Sequence, residues 1–332
     1  VALVDARHDW GDDFRLEREV WQPLGIRLST AFCQTESEII AAAQDADAVV
    51  IAGLYTPITA TVIAALDRCR LIVRYGIGVD NIDTEAATRH GIVVANAAEY
   101  CVPEVADHTA SLMLAMVRRV ALLDRVIRTG GWQPPPETLG PMRRLSTLTL
   151  GLIGLGRIAR AVARRMRPFV ARMLAYDPYV DRAVADQESI LLVGLADLLA
   201  EGDLISIHVP LLPTTRHLIG AQELARMKPT AFLINTSRGP VVDEEALVQA
   251  LQTHRIAGAA LDVFAVEPLP AHSPLRSLDN VVLTPHLAAY SPEAVIDLRQ
   301  SVARTVADVL QGFWPAYVVN PEVKPRFPLQ RR

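Results

Sequence analysis

The stretch Thr149-Leu-Gly-Leu-Ile-Gly154-Leu-Gly156-Arg-Ile-Ala159 decides how this chain folds. A run of strand character leads into Gly154-x-Gly156-x-x-Ala159, and a helical pattern follows. In a βαβ unit the first glycine permits the tight turn from strand to helix. The second leaves out a side chain where a pyrophosphate must approach, and the small third residue lets helix pack on strand. The helix N-terminus then offers N–H donors and the positive end of its dipole to phosphate oxygens. Taken alone, the glycine pattern also fits a packed turn with no ligand. Here a second strand ends at Asp177, 21 residues after Gly156. An acid at that place accepts hydrogen bonds from an adenosine ribose. With strand, turn, helix, strand and acid in order, dinucleotide binding outweighs the packed turn. A carboxylate there repels a 2′-phosphate, so the cofactor expected is NAD, with NADP disfavoured.

Outward from this unit, short apolar runs alternate with helical stretches in both directions. Toward the C-terminus, strands are read at Met173–Asp177, Leu204–Val209, Ala231–Asn235, Ala257–Phe264 and Val281–Thr284, and the last long helix at Pro292–Gln311. Toward the N-terminus they are read at Val1–Ala6, Gly25–Ala31, Ala48–Ala52, Leu71–Arg74 and Ile92–Ala95. Strands separated by helices give an α/β fold with two doubly wound parallel sheets. Val102–Arg128 reads as the longest uninterrupted helix, with Pro103 suited to its first turn and Gly130-Gly131 at its end. Its apolar positions, among them Leu112, Leu114, Met116, Val117 and Leu122, exceed what one core-facing stripe needs. Trp132–Arg144 holds Pro134, Pro135, Pro136 and Pro141 and reads as a loop between units.

The chain has 332 residues, 51% of them hydrophobic and 21% charged, which fits two globular domains and excludes a disordered chain. A net charge of −4 shows no basic excess for nucleic acid or anionic lipid. No apolar run is long enough to span a membrane, and no signal-peptide pattern is expected at the N-terminus. Cys33, Cys69 and Cys101 are widely spaced without a Cys-x-x-Cys. Neither a disulfide framework nor a metal site is expected, and a reduced cytoplasm is the expected setting.

Three late strands end in residues capable of chemistry. Arg238 follows the strand ending at Asn235, Glu267 the strand ending at Phe264, and His286 the strand ending at Thr284. Singly, each has a plain reading: a solvated loop cation, a turn residue before Pro268, a packed histidine. Together, on the carboxyl rim of the sheet that holds the dinucleotide, they read as a site. His208 ends another strand on that rim and is expected to line the cofactor cleft. His108 reads as an ordinary helix residue.

Tyr75-Gly-Ile-Gly-Val-Asp-Asn-Ile-Asp83, Gly151–Ala159, His208-Val-Pro-Leu211, Ile234-Asn-Thr-Ser-Arg-Gly239, Asp262-Val-Phe-Ala-Val-Glu-Pro268 and Thr284-Pro-His286 run in order through almost the whole chain. In them the sequence resembles the NAD-dependent D-isomer-specific 2-hydroxyacid dehydrogenases. Cys101-Val-Pro-Glu-Val-Ala-Asp-His108 and His286-Leu-Ala-Ala-Tyr-Ser291 are most similar to the branch of the C-terminal-binding proteins and their bacterial dehydrogenase relatives. The resemblance implies a discontinuous, flavodoxin-like substrate domain of residues 1–102 and 291–332. It implies a Rossmann NAD-binding domain of residues 103–290, a cleft between the two, and a homodimer.

It further implies that Arg238, Glu267 and His286 are catalytic. NAD would be held by Val105, Gly154, Gly156, Arg157, Ile158, Asp177, His208, Val209, Pro210, Thr215, Thr236, Ser237, Arg238, Asp262, His286 and Ala288. The backbone of Gly76, Ile77 and Gly78 would hold a substrate carboxylate, near Leu54 and Tyr55, with Arg238 and His286 also touching substrate. Ile77 stands where phosphite dehydrogenases carry a lysine, and Glu267 where formate dehydrogenases carry a glutamine, so neither reaction is expected. Ala289 stands where the C-terminal-binding proteins carry a tryptophan. The regulatory domain of many phosphoglycerate dehydrogenases is not expected. The reaction implied is interconversion of a 2-keto acid and a D-2-hydroxy acid, His286 serving as acid and base, Glu267 orienting it and Arg238 binding carboxylate and carbonyl. The alternative is an NAD(H)-sensing interaction protein of the C-terminal-binding type with little turnover.

Overall fold

Runs such as Ala48-Val-Val-Ile and Leu71-Ile-Val-Arg are wholly buried, as strands covered by helices on both faces require. The computed structural model describes residues 1–5, 14–53, 56–139 and 142–332. The expected substrate contacts Leu54 and Tyr55 lie outside the described residues. Residues 1–100 with 291–332 form one compact unit, and residues 101–290 form another.

The first unit holds β1 (Ala2–Val4), β2 (Ser29–Ala31), β3 (Ala48–Ile51), β4 (Leu71–Arg74) and β5 (Val93–Asn96), all parallel, in the order β2-β1-β3-β4-β5. Between them run α1 (Arg15–Trp21), α2 (Glu36–Ala43), α3 (Ala60–Ala64) and α4 (Thr84–Arg89). The last helix, Pro292–Leu310, packs into the same unit, with Leu298, Val302, Ala303 and Val306 in its core. It is joined to α1 by polar contacts as well. Trp21 donates its indole N–H to the carbonyl of Ala303 at 2.9 Å. Glu17, with no exposed side chain, accepts two guanidinium N–H groups of Arg299 at 2.8 and 2.7 Å and the Tyr75 hydroxyl at 2.6 Å. A buried carboxylate is tolerable only when paired this fully.

The second unit is a seven-stranded parallel sheet. It comprises β6 (Thr149–Ile153), β7 (Arg172–Tyr176), β8 (Leu191–Leu192), β9 (Leu204–Ile207), β10 (Phe232–Asn235), β11 (Gly258–Leu261) and β12 (Val281–Leu283). Their order is β12-β11-β10-β9-β6-β7-β8. The helices are α5 (Val102–Val117), α6 (Val120–Arg128), α7 (Pro136–Leu139), α8 (Arg157–Met166), α9 (Arg182–Gln187), α10 (Leu195–Glu201), α11 (Ala221–Arg226) and α12 (Glu244–Gln252). One core cluster places Met113, Met116 and Val117 of α5 with Val162 and Met166 of α8 and Leu150 and Leu152 of β6.

Two sequence expectations are corrected, and one further element was not expected. The helix expected to run unbroken over Val102–Arg128 is two helices, because Arg119 adopts φ 54°. Its side chain is buried, with the guanidinium 5.0 Å from the centre of the Phe232 ring. Packing of one long residue thus overrides a continuous helical pattern. The proline-rich loop contains one helical turn, Pro136–Leu139, begun by a proline at the position where a missing N–H costs nothing. The two-residue edge strand Leu191–Leu192 is too short to be read from sequence.

His208 follows β9, and its backbone N–H donates to Ile153 at 2.7 Å. Its Nε2 is buried with no hydrogen-bond partner among the described residues. Burial lowers its pKa from 6.5 to about 4, so the ring is neutral at pH 7. The unfolded chain takes up this proton first as pH falls, so stability from a neutral His208 is complete above pH 6.5 and is lost between 6.5 and about 4. Urea unfolding at pH 7 and pH 4.5 should show His208→Asn losing about 2–3 kcal/mol less than the wild type across that window. Equal losses would mean the ring is not held neutral.

Candidate active site

Strand order in the second unit reverses at β6, which lies between β7 and β9. In such sheets ligands enter beyond the carboxyl ends of the strands at the reversal. Gly154 leaves β6 at φ 88°, and a Cβ there would stand 2.9 Å from the carbonyl oxygen of His208. Only glycine lets this turn and the loop after β9 close on each other. Gly156 caps α8 and has nothing within 4 Å of where its side chain would point. The N–H end of a ten-residue helix therefore meets open space where a Gly156 side chain would stand.

Asp177 follows β7. Its Oδ2 accepts the Leu155 N–H at 2.8 Å, and its Oδ1 accepts those of Tyr179 and Val180 at 2.9 and 3.2 Å. The acid expected to meet a ribose thus also ties the glycine turn to the end of β7, which sequence spacing alone did not reveal. Arg157 and Ile158 open α8, Val105 is buried on α5, and Val209 and Pro210 continue from His208. The Thr215 hydroxyl donates to Pro210 at 2.6 Å and accepts the Leu212 N–H at 2.8 Å, closing the next turn. Open space at a helix N-terminus beside a carboxylate is what a dinucleotide without a 2′-phosphate fits.

Arg238, Glu267 and His286 leave the adjacent strands β10, β11 and β12. The buried Asn235 shapes the first turn: its amide donates to the Arg238 carbonyl at 2.9 Å, and its Oδ1 accepts the Ser237 N–H and hydroxyl at 3.0 and 2.9 Å. The Arg238 Nη1 donates to the Ser237 carbonyl at 2.7 Å. A Cβ on Gly239 would lie 1.9 Å from the Phe264 carbonyl oxygen, so glycine is what lets the Arg238 turn rest against the loop after β11. In that loop Glu267 folds back. Its Oε1 accepts the Phe264 N–H at 2.9 Å, and its Oε2 lies 2.7 Å from His286 Nδ1. An ionised carboxylate can only accept, so the network assigns a proton to Nδ1 and leaves Nε2 as the atom for proton transfer. Glu244 at the start of α12 adds a support that sequence reading missed, its Oε2 accepting the Ala265 N–H at 2.8 Å.

His286 sits at φ 55°, and its N–H donates to the Asp262 carbonyl at 2.8 Å. The Asp262 carboxylate, fully buried, accepts the N–H groups of Leu287 and Ala288 at 3.1 and 2.9 Å and the Thr284 hydroxyl at 2.6 Å. Thr236 Oγ1 lies 2.9 Å from Thr109 Oγ1 on α5. Asp262 and Thr236 therefore serve the architecture of the loops whatever ligand they meet.

Gly76, Ile77 and Gly78 belong to the first unit, just beyond β4. The Asn96 amide donates to the Ile77 carbonyl at 2.7 Å, and the Ala97 N–H to that of Gly76 at 3.1 Å. These bonds occupy carbonyls and fix the loop. Among the described residues no group of three or more His, Cys, Asp or Glu is placed to hold a metal ion, and no helix is long and apolar enough to cross a membrane.

Residues 110–288 match the family model described as D-isomer specific 2-hydroxyacid dehydrogenase, NAD binding domain. The chain is 43% identical over 304 residues to the glyoxylate reductase of Thermofilum pendens, covering 90% of this chain and 88% of that protein. It is 42% identical over 286 residues to the D-3-phosphoglycerate dehydrogenase of Synechocystis sp.. That match covers 86% of this chain and 51% of the relative, so the chain spans about half the relative's length. The solved structure of D-lactate dehydrogenase from Aquifex aeolicus, complexed with NAD and lactic acid, matches with a TM-score of 0.83 and 27% identity over 96% of this chain and 98% of that one. These relatives give no support to an interaction protein of the C-terminal-binding type. The dinucleotide turn, the carboxylate–histidine pair and these matches agree: the chain belongs to the D-isomer specific 2-hydroxyacid dehydrogenase family and carries its NAD-binding domain.

Proposed function

We propose that this chain interconverts a 2-keto acid and a D-2-hydroxy acid, and that Arg238, Glu267 and His286 carry out the chemistry. The observation that carries the reading is the 2.7 Å contact between Glu267 and His286, set beside the Arg238 turn on the rim that also bears the glycine turn. The β6–α8 turn, Asp177 and the loops after β9, β10 and β12 would hold NAD(H), which would supply or accept the hydride. Arg238 offers a planar fork to the substrate carboxylate and polarises the keto oxygen. His286 delivers a proton from Nε2 to that oxygen in reduction and removes it in oxidation. Glu267 holds Nδ1, fixing the ring's orientation and stabilising its cationic form. Gly76, Ile77 and Gly78, with Leu54 and Tyr55, complete substrate binding. Residues 1–102 with 291–332 serve the substrate, and residues 103–290 the cofactor.

The reaction is tested by NADH absorbance with a panel of keto acids that includes glyoxylate and pyruvate. His286→Ala should cost roughly 10²–10⁴-fold in rate, the usual worth of a positioned acid–base group, with NADH binding retained. Arg238→Lys should lower kcat/KM at least about tenfold, because a point charge cannot replace a fork. Activity unchanged in either variant would refute the assignment.

Asp177 offers no cation to a 2′-phosphate, so NADH should be preferred over NADPH at least about tenfold, some 1.4 kcal/mol. Asp177→Ala should weaken NADH without improving NADPH, because it also frees the Leu155 N–H from its acceptor. Titration of each cofactor by fluorescence measures both effects, and comparable wild-type affinities would count against this role.

A homodimer in a reduced cytoplasm completes the reading. Leu112, Met116, Val117 and Leu122, noted in the sequence as surplus apolar positions, are buried within the second unit. What remains open is Val120 and Ile127, seven residues apart on α6, together with Trp132, which is 82% exposed. Cys33, Cys69 and Cys101 are buried and form no disulfide among the described residues, which suits a reducing compartment. Light scattering should give twice the 36.3 kDa chain mass, and Ile127→Asp should shift it toward the monomer. A monomer mass independent of concentration would exclude the dimer.

A further inference from the structure

We infer that one turn of α5 positions both halves of the proposed chemistry: His108 sets the loop that carries His286, and Thr109 sets the turn that carries Arg238. The inference rests on the roles proposed above for Arg238 and His286.

The proton inventory gives each bond a direction. Thr284 has one hydroxyl proton, and it is donated to Asp262 Oδ1 at 2.6 Å. The 3.0 Å contact between Thr284 Oγ1 and His108 Nε2 therefore takes its proton from His108. Thr284 in turn orients Asp262, whose carboxylate holds the N–H groups of Leu287 and Ala288, while its carbonyl holds that of His286. His286 sits in the left-handed region at φ 55°, a conformation uncommon for a non-glycine residue. The chain of donors from His108 through Thr284 to Asp262 holds the loop in that conformation.

The next residue works the same way. The Thr109 hydroxyl proton goes to the Val105 carbonyl at 2.6 Å, so the 2.9 Å contact with Thr236 is donated by Thr236. Thr109 has no exposed surface. Thr236 lies two residues before Arg238, in the turn that Asn235 closes. Successive helix positions point about 100° apart, so two adjacent side chains on one helix reach the ends of β12 and β10. His108 and Thr109 are positioning residues, acting through Thr284, Asp262 and Thr236.

The test separates the two arms by kinetics and by rescue. His108→Ala should lower kcat for keto-acid reduction roughly tenfold with KM little changed, as expected for one lost hydrogen bond felt at the proton donor. Thr109→Val should lower kcat/KM for the keto acid roughly tenfold with KM clearly raised, because it leaves Thr236 without its acceptor and loosens the turn that carries Arg238. His108→Gln and Thr109→Ser keep the donor and the hydroxyl, and should return both constants to within about threefold of the wild type. If H108A does not fold by circular dichroism, H108N, polar but too short to reach Thr284, replaces it.

Imidazole ¹H–¹⁵N spectra, with the His286 signals identified by their loss in H286A, provide a readout independent of turnover. H108A should shift or broaden the His286 signals, and T109V should leave them in place. Unmoved His286 signals, or losses that the conservative variants do not rescue, overturn the inference. A wild type that reduces keto acids while H108A and T109V behave normally refutes the positioning roles and leaves the proposed function standing. A wild type inactive on the whole panel refutes the function, and the spectra still decide the positioning of His286.

Discussion

Parallel pairing of all seven strands sends every strand-end loop of residues 101–290 to one edge of the sheet. The glycine turn after β6, Asp177 after β7 and His208 after β9 share that edge with Arg238, Glu267 and His286, which leave β10, β11 and β12. An antiparallel strand among these would send one of them to the opposite edge. Parallel strands need crossover connections, usually helical, and α8, α9, α10, α11 and α12 supply all but the one from β11 to β12. Their packing makes both faces of the sheet apolar and restricts polar chemistry to strand ends.

Polar groups carried into that edge must be satisfied, and the way they are satisfied builds the site. Asn235 uses its amide and carbonyl to close the Arg238 turn. Glu267 gives one oxygen to the Phe264 N–H and the other to His286. Asp262 accepts two N–H groups and a hydroxyl around His286. Each side chain that satisfies a buried group also fixes a loop, so Glu267 and His286 are held in place by the fold itself. The first unit follows the same rule. Glu17, Arg299 and Tyr75 satisfy one another next to Gly76, and the helix that returns after residue 290 is what brings Arg299 there.

Much of this architecture is legible along the chain. Apolar runs of four or five residues separated by helical stretches state a parallel sheet, because only a strand covered on both faces lacks polar alternation. Gly154-x-Gly156-x-x-Ala159 states the turn, because its spacing reflects a local conformation that needs no distant partner. Arg238, Glu267 and His286 stand out because each follows a strand, and a parallel fold makes position after a strand equivalent to position on the rim. Their pairing is less legible. That Glu267 touches His286 depends on β11 and β12 being neighbours in the sheet.

The sequence by itself determined what is local: strand and helix periodicity, the glycine turn, the cap residues and the types of side chain at strand ends. The tertiary structure decided what depends on partners far along the chain. Arg119 breaks a helix because the ring of Phe232, in β10, lies beneath its guanidinium. Asp177 ties down Leu155 because β7 lies beside β6. His108 reads as an ordinary helix residue until folding sets it against Thr284, 176 positions away. Hydrogen bonds of this kind are selected by proximity in space, and a one-dimensional pattern carries no record of which donor a buried acceptor will meet.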